Sequence, residues 1–353
     1  MKKFLNEPEA FVDEMLEGIY AAHPQQLTYV ADDKRCLVSV ARQPGKVGLA
    51  TGGGSGHLPL FLGYVGRGML DGCAVGGVFQ SPSAQQMFEV TKAIDQGAGV
   101  LYIYGNYTGD ILNFDMATEL AEMENIRVLS VVGNDDVASS VQGEEHKRRG
   151  VAGIFFVYKA AGAAAEEGMS LDEVKRVADK ARLATRTMGV ALSSCIVPEV
   201  GHATFSIGER EMEIGMGIHG EPGIRRGPLL PADAVVDEML KPILAELQLG
   251  QGSEVAVLVN GLGATPLMEL YIMNRRVRQR LDAAGIEVHA TWVGNWCTSL
   301  EMAGASVTCM HLDAELTAMR DRVMGEVDNW GGRAGEAQCG ARRRSAVDAH
   351  PQD

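Results

Sequence analysis

Lys46–Thr51 reads KVGLAT and runs straight into Gly52–His57, GGGSGH. A short apolar run that empties into a glycine block has the grammar of a buried strand delivering a tight backbone feature at its carboxyl end. The grammar recurs. Gly99–Tyr104 (GVLYIY) predicts a second buried strand, closed by a turn over Asn106–Asp110 (NYTGD), and Ile126–Val132 (IRVLSVV) predicts a third. A helix-like segment follows GGGSGH, and Gly72–Ser83 (GCAVGGVFQSPS) is again glycine-rich. Helical stretches at Ser83–Ile94 and Ala117–Asn125 alternate with these strands, the pattern of an α/β unit with parallel pairing.

Working outward, residues 3–20 predict an amphipathic helix, with Phe4, Phe11, Met15 and Ile19 at helical spacing. Ser170–Thr187 predicts a charged helix opened by a capping box of Ser170 and Glu173. After it the pattern changes. Strands are expected at Gly189–Val197, Met212–Ile218, Glu254–Asn260, Glu287–Trp292 and Ser306–His311, with helices at Ala232–Leu247 and Pro266–Gly285, the latter opened by proline. The expected architecture is a two-domain α/β chain. Residues 1–185 form a Rossmann-like three-layer α/β domain, and residues 186–330 an α+β mixed-sheet domain. The polar, aperiodic segment 331–353 is expected to be a disordered tail.

Composition narrows the function. The 353 residues carry 46 acidic and 32 basic side chains, a net charge of −14. That argues against nucleic acid and against anionic lipid as partners. No apolar run approaches the ~18 residues of a membrane span. The start, MKKFLNEPEAF, has no apolar core of a secretory signal, so a cytoplasmic protein is expected. Cys36, Cys73, Cys195, Cys297, Cys309 and Cys339 form no C-x-x-C and no zinc spacing, and read as reduced core thiols.

Four polar blocks end apolar strands: Thr51–His57, Asn106–Asp110, His219–Gly223 (HGEPG) and Asn260–Pro266 (NGLGATP). Ligands of open α/β sheets bind beyond the carboxyl ends of strands, so the four blocks are expected around one crevice. The first block matches neither the P-loop nor the dinucleotide fingerprint. Its glycines suit backbone approach to a small polyol. His57, at its end, could donate or accept a proton near neutral pH. Asp110 either takes a proton from a substrate hydroxyl or caps the following segment, and its local sequence favours neither. His219 is either a turn histidine bonded to backbone or a nucleophile, since neutral imidazole adds to carbonyl carbon.

Once GMGIHGEPG is added to these blocks, the chain resembles the family of dihydroxyacetone-binding subunits of dihydroxyacetone kinases. The resemblance runs from Met1 to about Trp330. It rests on GGGSGH, NYTGDILNF, RRGVAG (Arg148–Gly153), EMEIGMGIHGEPG and GATPLMELY in that order. It implies that His219 adds to the ketone carbon of dihydroxyacetone as a hemiaminal, that Asp110 is the base on the terminal hydroxyl, and that His57 hydrogen-bonds the substrate. Gly54, Ser55, Gly56 and Gly105 fall at the family's substrate-binding positions. The resemblance further implies a homodimer, and a separate nucleotide-bearing subunit (DhaL-like) that carries ATP, or ADP with Mg recharged by the phosphotransferase system. This chain is expected to bind no cofactor or metal of its own.

Two positions depart from the family pattern. Leu58 stands where glutamate is usual, and Gly105 where a substrate-site lysine is usual. Losing that lysine opens volume and removes a donor. Two variants of the main reading follow: a kinase subunit for a related ketose such as erythrulose, and a non-catalytic paralogue that senses dihydroxyacetone as a coactivator. Without the resemblance, the residues would also fit a polyol-binding protein with no chemistry.

Overall fold

Twelve strands among the described residues divide into two six-stranded sheets. The structure, a computed structural model, describes residues 2–203 and 205–322, so the expected tail at 331–353 lies outside it. The first sheet holds β1 (Leu27–Val30), β2 (Asp33–Ser39), β3 (Gly48–Ser55), β4 (Gly72–Val78), β5 (Val100–Gly105) and β6 (Val128–Gly133), in the order β1-β2-β4-β3-β5-β6. Strands β4, β3, β5 and β6 are mutually parallel, and β1 and β2 add an antiparallel hairpin at one edge. Side chains alternate across it. Leu37, Leu49, Leu101 and Ile103 face one core, and Val38, Ala50, Val100 and Tyr102 the other. Helices α2 (Ala84–Ile94) and α3 (Thr108–Met123) cover the second face. Helices α4 (Ile154–Glu166) and α5 (Leu171–Leu183), with the amino-terminal α1 (Phe11–Ala22), cover the first. This is the expected three-layer arrangement.

The second sheet contains β7 (Thr185–Ala191), β8 (Glu211–Ile214), β9 (Arg225–Pro228), β10 (Glu254–Gly261), β11 (Glu287–Gly294) and β12 (Gly304–Leu312), ordered β11-β10-β12-β7-β8-β9. Only β10 and β11 pair in parallel, so the sheet is mixed. Helices α6 (Ala232–Glu246) and α7 (Leu267–Ala283) pack on one face. The other face, through Ala256, Leu258, Trp292 and Met310, joins the same core as α4 and the terminal α8 (Ala314–Arg322). Helix α4 therefore lies between the two sheets, buried from Ile154 to Ala165. Buried on every face, Lys159 included, it shows no amphipathic stripe, which is why periodicity does not reveal it.

Several expectations are corrected. The first helix begins only at Phe11, after a 3-10 turn entered through Pro8. No α-helix follows GGGSGH: Pro59, Gly63, Gly66 and Gly68 break the segment, leaving a 3-10 turn at Leu62–Tyr64. The glycines Gly52–Gly54 belong to β3 itself. The block Asn106–Asp110 does not stay a turn, because α3 starts at Thr108 and places Asp110 in its first turn. Strands β1, β2, β4 and β9 and helices α4 and α8 lie where no element was expected. In the β1–β2 hairpin, Ala31 and Asp32 turn the chain at φ 58° and 53°, a tight hairpin turn without the usual glycine signal. Among the described residues no helix is long and apolar enough to cross a membrane.

Candidate active site

His57 sits at the end of β3, where the first sheet meets the loop after β11. The two segments are stitched reciprocally. The Thr298 N–H donates to the His57 carbonyl at 3.1 Å, the Leu300 N–H to the Gly56 carbonyl at 2.7 Å, and the Thr298 hydroxyl to the Leu58 carbonyl at 2.8 Å. The imidazole completes the stitch, with Nδ1–H donating to the Thr298 carbonyl at 2.7 Å. A carbonyl only accepts, so Nδ1 carries the proton and Nε2 presents a lone pair. That Nε2 is buried and meets no protein partner. Burial, with His219 beside it, pushes the imidazole down to about 3. His57 is therefore neutral near pH 7 and acts there as a hydrogen-bond acceptor. The expectation that it exchanges a proton near neutrality is revised accordingly.

His219 meets it edge-on. The two rings lie 4.7 Å apart at 81°, and the Phe79 ring stacks on His57 at 4.8 Å while standing edge-on to His219 at 5.3 Å. Tyr107 closes a third side of His219 at 4.6 Å and 90°. The HGEPG turn folds back on itself, and Glu221 takes both donors of His219: Nδ1–H at 2.8 Å and the backbone N–H at 3.0 Å. The carboxylate accepts at Nδ1, so Nε2 of His219 keeps its lone pair. Burial pushes the Glu221 carboxyl up, but the hydrogen bond and charge of His219 outweigh it and hold the group at about 2.

Asp110, 5 % exposed, lies in the first turn of α3, near enough to His219 to feel its charge when that imidazole is protonated. The Ser81 hydroxyl donates to its Oδ1 at 2.5 Å. Burial raises its carboxyl to about 6, against the downward pull of Ser81 and His219. A carboxylate poised there is a stronger base than an exposed one and is still ionised at pH 7.

The structure thus brings His57, Asp110 and His219 together. The glycines do something more specific than expected. A Cβ on Gly53 would lie 2.3 Å from the Phe61 ring, and one on Gly54 2.7 Å from the Phe79 backbone, so these positions admit protein chain. Gly56 alone of the three needs a left-handed φ, 110°. The hydroxyl of Ser55 is buried beside His57 without a partner, as is His57 Nε2. Gly105 leaves no open hole. The Tyr107 ring lies against it, 2.9 Å from where a Cβ would stand, and the Tyr107 hydroxyl donates to the Gly150 carbonyl at 3.0 Å. Leu58 packs against the central core. Block Asn260–Pro266 reaches the site only indirectly, since Asn260 accepts from the backbone of Trp296 and Cys297, just ahead of Thr298. Among the described residues no three or more His, Cys, Asp or Glu side chains cluster as a metal site.

Sequence reading did not single out Glu221, Ser81, Phe79, Tyr107 or Thr298. Glu221 had a signal, a carboxylate two residues after a turn histidine. Thr298 had none, because its role depends on a contact 241 residues away in the chain.

Comparison with known proteins fits this geometry. The Dak1 domain family matches residues 17–326. The chain is 47 % identical over 315 residues to the PTS-dependent dihydroxyacetone kinase 1, dihydroxyacetone-binding subunit DhaK, of Listeria innocua, covering 89 % of this chain and 95 % of that one. It is 41 % identical over 316 residues to the D-erythrulose kinase of Mycolicibacterium smegmatis, covering 90 % of this chain and 54 % of that longer protein. Among solved structures, the dihydroxyacetone kinase operon co-activator DhaQ superposes with a TM-score of 0.81 at 34 % identity, covering 87 % of this chain and 94 % of that one.

Proposed function

This chain belongs to the Dak1 domain family, and we propose that it is the dihydroxyacetone-binding subunit of a dihydroxyacetone kinase, holding the ketose on His219 while a partner subunit donates phosphate. The observation that carries this reading is the pair of facing imidazoles, each with its Nδ1 proton committed and its Nε2 free. In this reading Nε2 of His219 forms a bond to the ketone carbon, and the carbonyl π pair moves to oxygen. That oxygen takes a proton from water, and the imidazole returns its Nδ1 proton through Glu221 to water, so no net proton is gained or lost. The carbinol hydroxyl then donates to the orphaned Nε2 of His57. Asp110 takes the proton of the terminal hydroxyl as its oxygen attacks phosphorus, and the leaving oxygen stays with the donor.

A three-carbon substrate offers little surface for binding, so a covalent bond supplies what contact cannot, and it rejects the ketone-free polyol. The donor subunit carries the nucleotide with Mg. The likeness to a PTS-dependent kinase subunit of Listeria innocua supports recharging through the phosphotransferase system. The working unit is a homodimer docked with that donor subunit. An erythrulose-type ketose is the second reading. It is favoured by the likeness to an erythrulose kinase.

The test is carbon NMR with dihydroxyacetone, and separately erythrulose, labelled with carbon-13 at the carbonyl. A new tetrahedral carbon signal is expected with the wild type and not with His219→Ala. The ketose that gives the fuller signal is the better substrate. An unshifted ketone in both proteins would remove the covalent role. With a donor subunit present, turnover should rise with pH through about 6, because Asp110 must lose its proton to act. A rate that stays flat between pH 5 and 7 would assign the base elsewhere.

A further inference from the structure

The motif RRGVAG, Arg148–Gly153, takes no part in the chemistry above, yet one of its arginines reaches the nucleophile's turn. We propose that Arg149 is a positioning residue for His219: its guanidinium fixes Glu221, and Glu221 fixes the imidazole with Nε2 turned to the ketone carbon. The inference rests on the covalent role proposed for His219.

Two of the three guanidinium nitrogens of Arg149 are held. Nε donates to Asp136 Oδ2 at 2.9 Å, and Nη2 donates to the Gly215 carbonyl at 3.0 Å and lies 2.8 Å from the same Asp136 oxygen in an ion pair. Nη1 is left pointing at Glu221 Oε2, 3.8 Å away. Asp136 is itself fixed. Its N–H donates to the Arg149 carbonyl, its Oδ1 accepts from Ala138, and its backbone bridges to Thr187 of β7. The guanidinium therefore ties the nucleophile's turn to the junction between the two sheets.

An independent observation makes the pairing specific. A Cβ on Gly217 would lie 2.1 Å from Glu221 Oε2 and 2.5 Å from Arg149 Nη1. The φ of Gly217 is not in the left-handed region, so its backbone does not demand glycine. The missing side chain is the space in which the two charged groups approach. Without this partner, Glu221 would be a partly exposed carboxylate on a turn, 31 % accessible, free to exchange its histidine for water.

The electrostatic consequence has a definite sign. Glu221 faces His219 and Arg149 directly, His57 and Tyr107 lie across the rings, and Asp136 lies behind the guanidinium. Removing the nearest cation makes it easier for the His219–Glu221 pair to take up a proton, and a protonated pair offers no lone pair to the ketone.

The experiment follows adduct formation by carbon-13 NMR from pH 4 to 8 for wild type, Arg149→Gln, Arg149→Lys and Gly217→Ala. The acid limb of Arg149→Gln should move up by about one pH unit, with adduct at pH 8 largely retained. Arg149→Lys should recover most of the wild-type limb. Gly217→Ala, which keeps the arginine but drives the two groups apart, should move it as Arg149→Gln does, and it serves alone if Arg149→Gln does not fold. A uniform loss of adduct at every pH, or an unmoved limb in Gly217→Ala, would overturn the positioning role. Absence of adduct in the wild type would instead overturn the covalent reading on which it rests.

Discussion

Replacing Asp110 by asparagine is expected to leave the ketose adduct intact and to lower turnover with the donor subunit about 10²–10⁴-fold. Asparagine keeps the shape of the side chain, and its carbonyl can still accept from Ser81. It cannot take the proton of the substrate hydroxyl. The covalent step proposed above uses His219 and Glu221 and not Asp110, so the carbon-13 signal should titrate as in the wild type while kcat falls. This separation also divides the candidate functions. A coactivator that only senses the ketose has no turnover to lose, and nothing in that role requires a buried carboxylate raised to about 6. Loss of the adduct in Asp110→Asn would make the residue a binding group. Retained turnover would remove it from the mechanism.

The largest effect on stability should come from Glu246→Ala. Arg148 is fully buried, its guanidinium held bidentately by Glu246 at 2.6 and 2.7 Å, and its Nε donates to the Ser140 carbonyl. Glu246 at the end of α6 also accepts from Arg186 of β7 at 3.0 Å. Removing the carboxylate leaves the buried guanidinium without its counter-ion, a loss of about 3–5 kcal/mol, read as a lower denaturant midpoint. The pair itself is worth much less than its disruption. Arg148→Met combined with Glu246→Leu should therefore recover most of the loss, since Arg186, at 14 % side-chain exposure, can turn toward water. If Glu246→Ala unfolds at the wild-type midpoint, the burial of Arg148 is compensated by other groups.

The two arginines of RRGVAG thus differ in purpose, one holding the fold and the other reaching the site. Nothing in their adjacency tells them apart. Which arginine is which follows from the opposite directions that neighbouring residues of an extended segment face, and from what lies on each side.

Much of the molecule was legible without coordinates. Strands β3, β5, β10 and β12 declare themselves as short apolar runs, because a strand covered on both faces is apolar at nearly every position, and the edge strands β6 and β11 keep enough apolar residues to be read the same way. The capping box of Ser170 and Glu173 marks the start of α5 because its hydrogen bonds are local in sequence. The three polar side chains of the site could be named for the same kind of reason, as each ends an apolar strand or follows one closely. The sequence by itself therefore determined the layered α/β plan and the chemical types at the site, since both depend on neighbours a few residues apart. Only the tertiary structure decided what those groups do. The lone pair of His57 is set by the Thr298 carbonyl, the basicity of Asp110 by burial and Ser81, and the charge at Glu221 by His219 and Arg149. The α4 buried on every face and the glycines that admit Phe61, Phe79 and Tyr107 belong with them. Protonation, desolvation and close approach depend on atoms that meet in space from distant parts of the chain, and no local pattern encodes them.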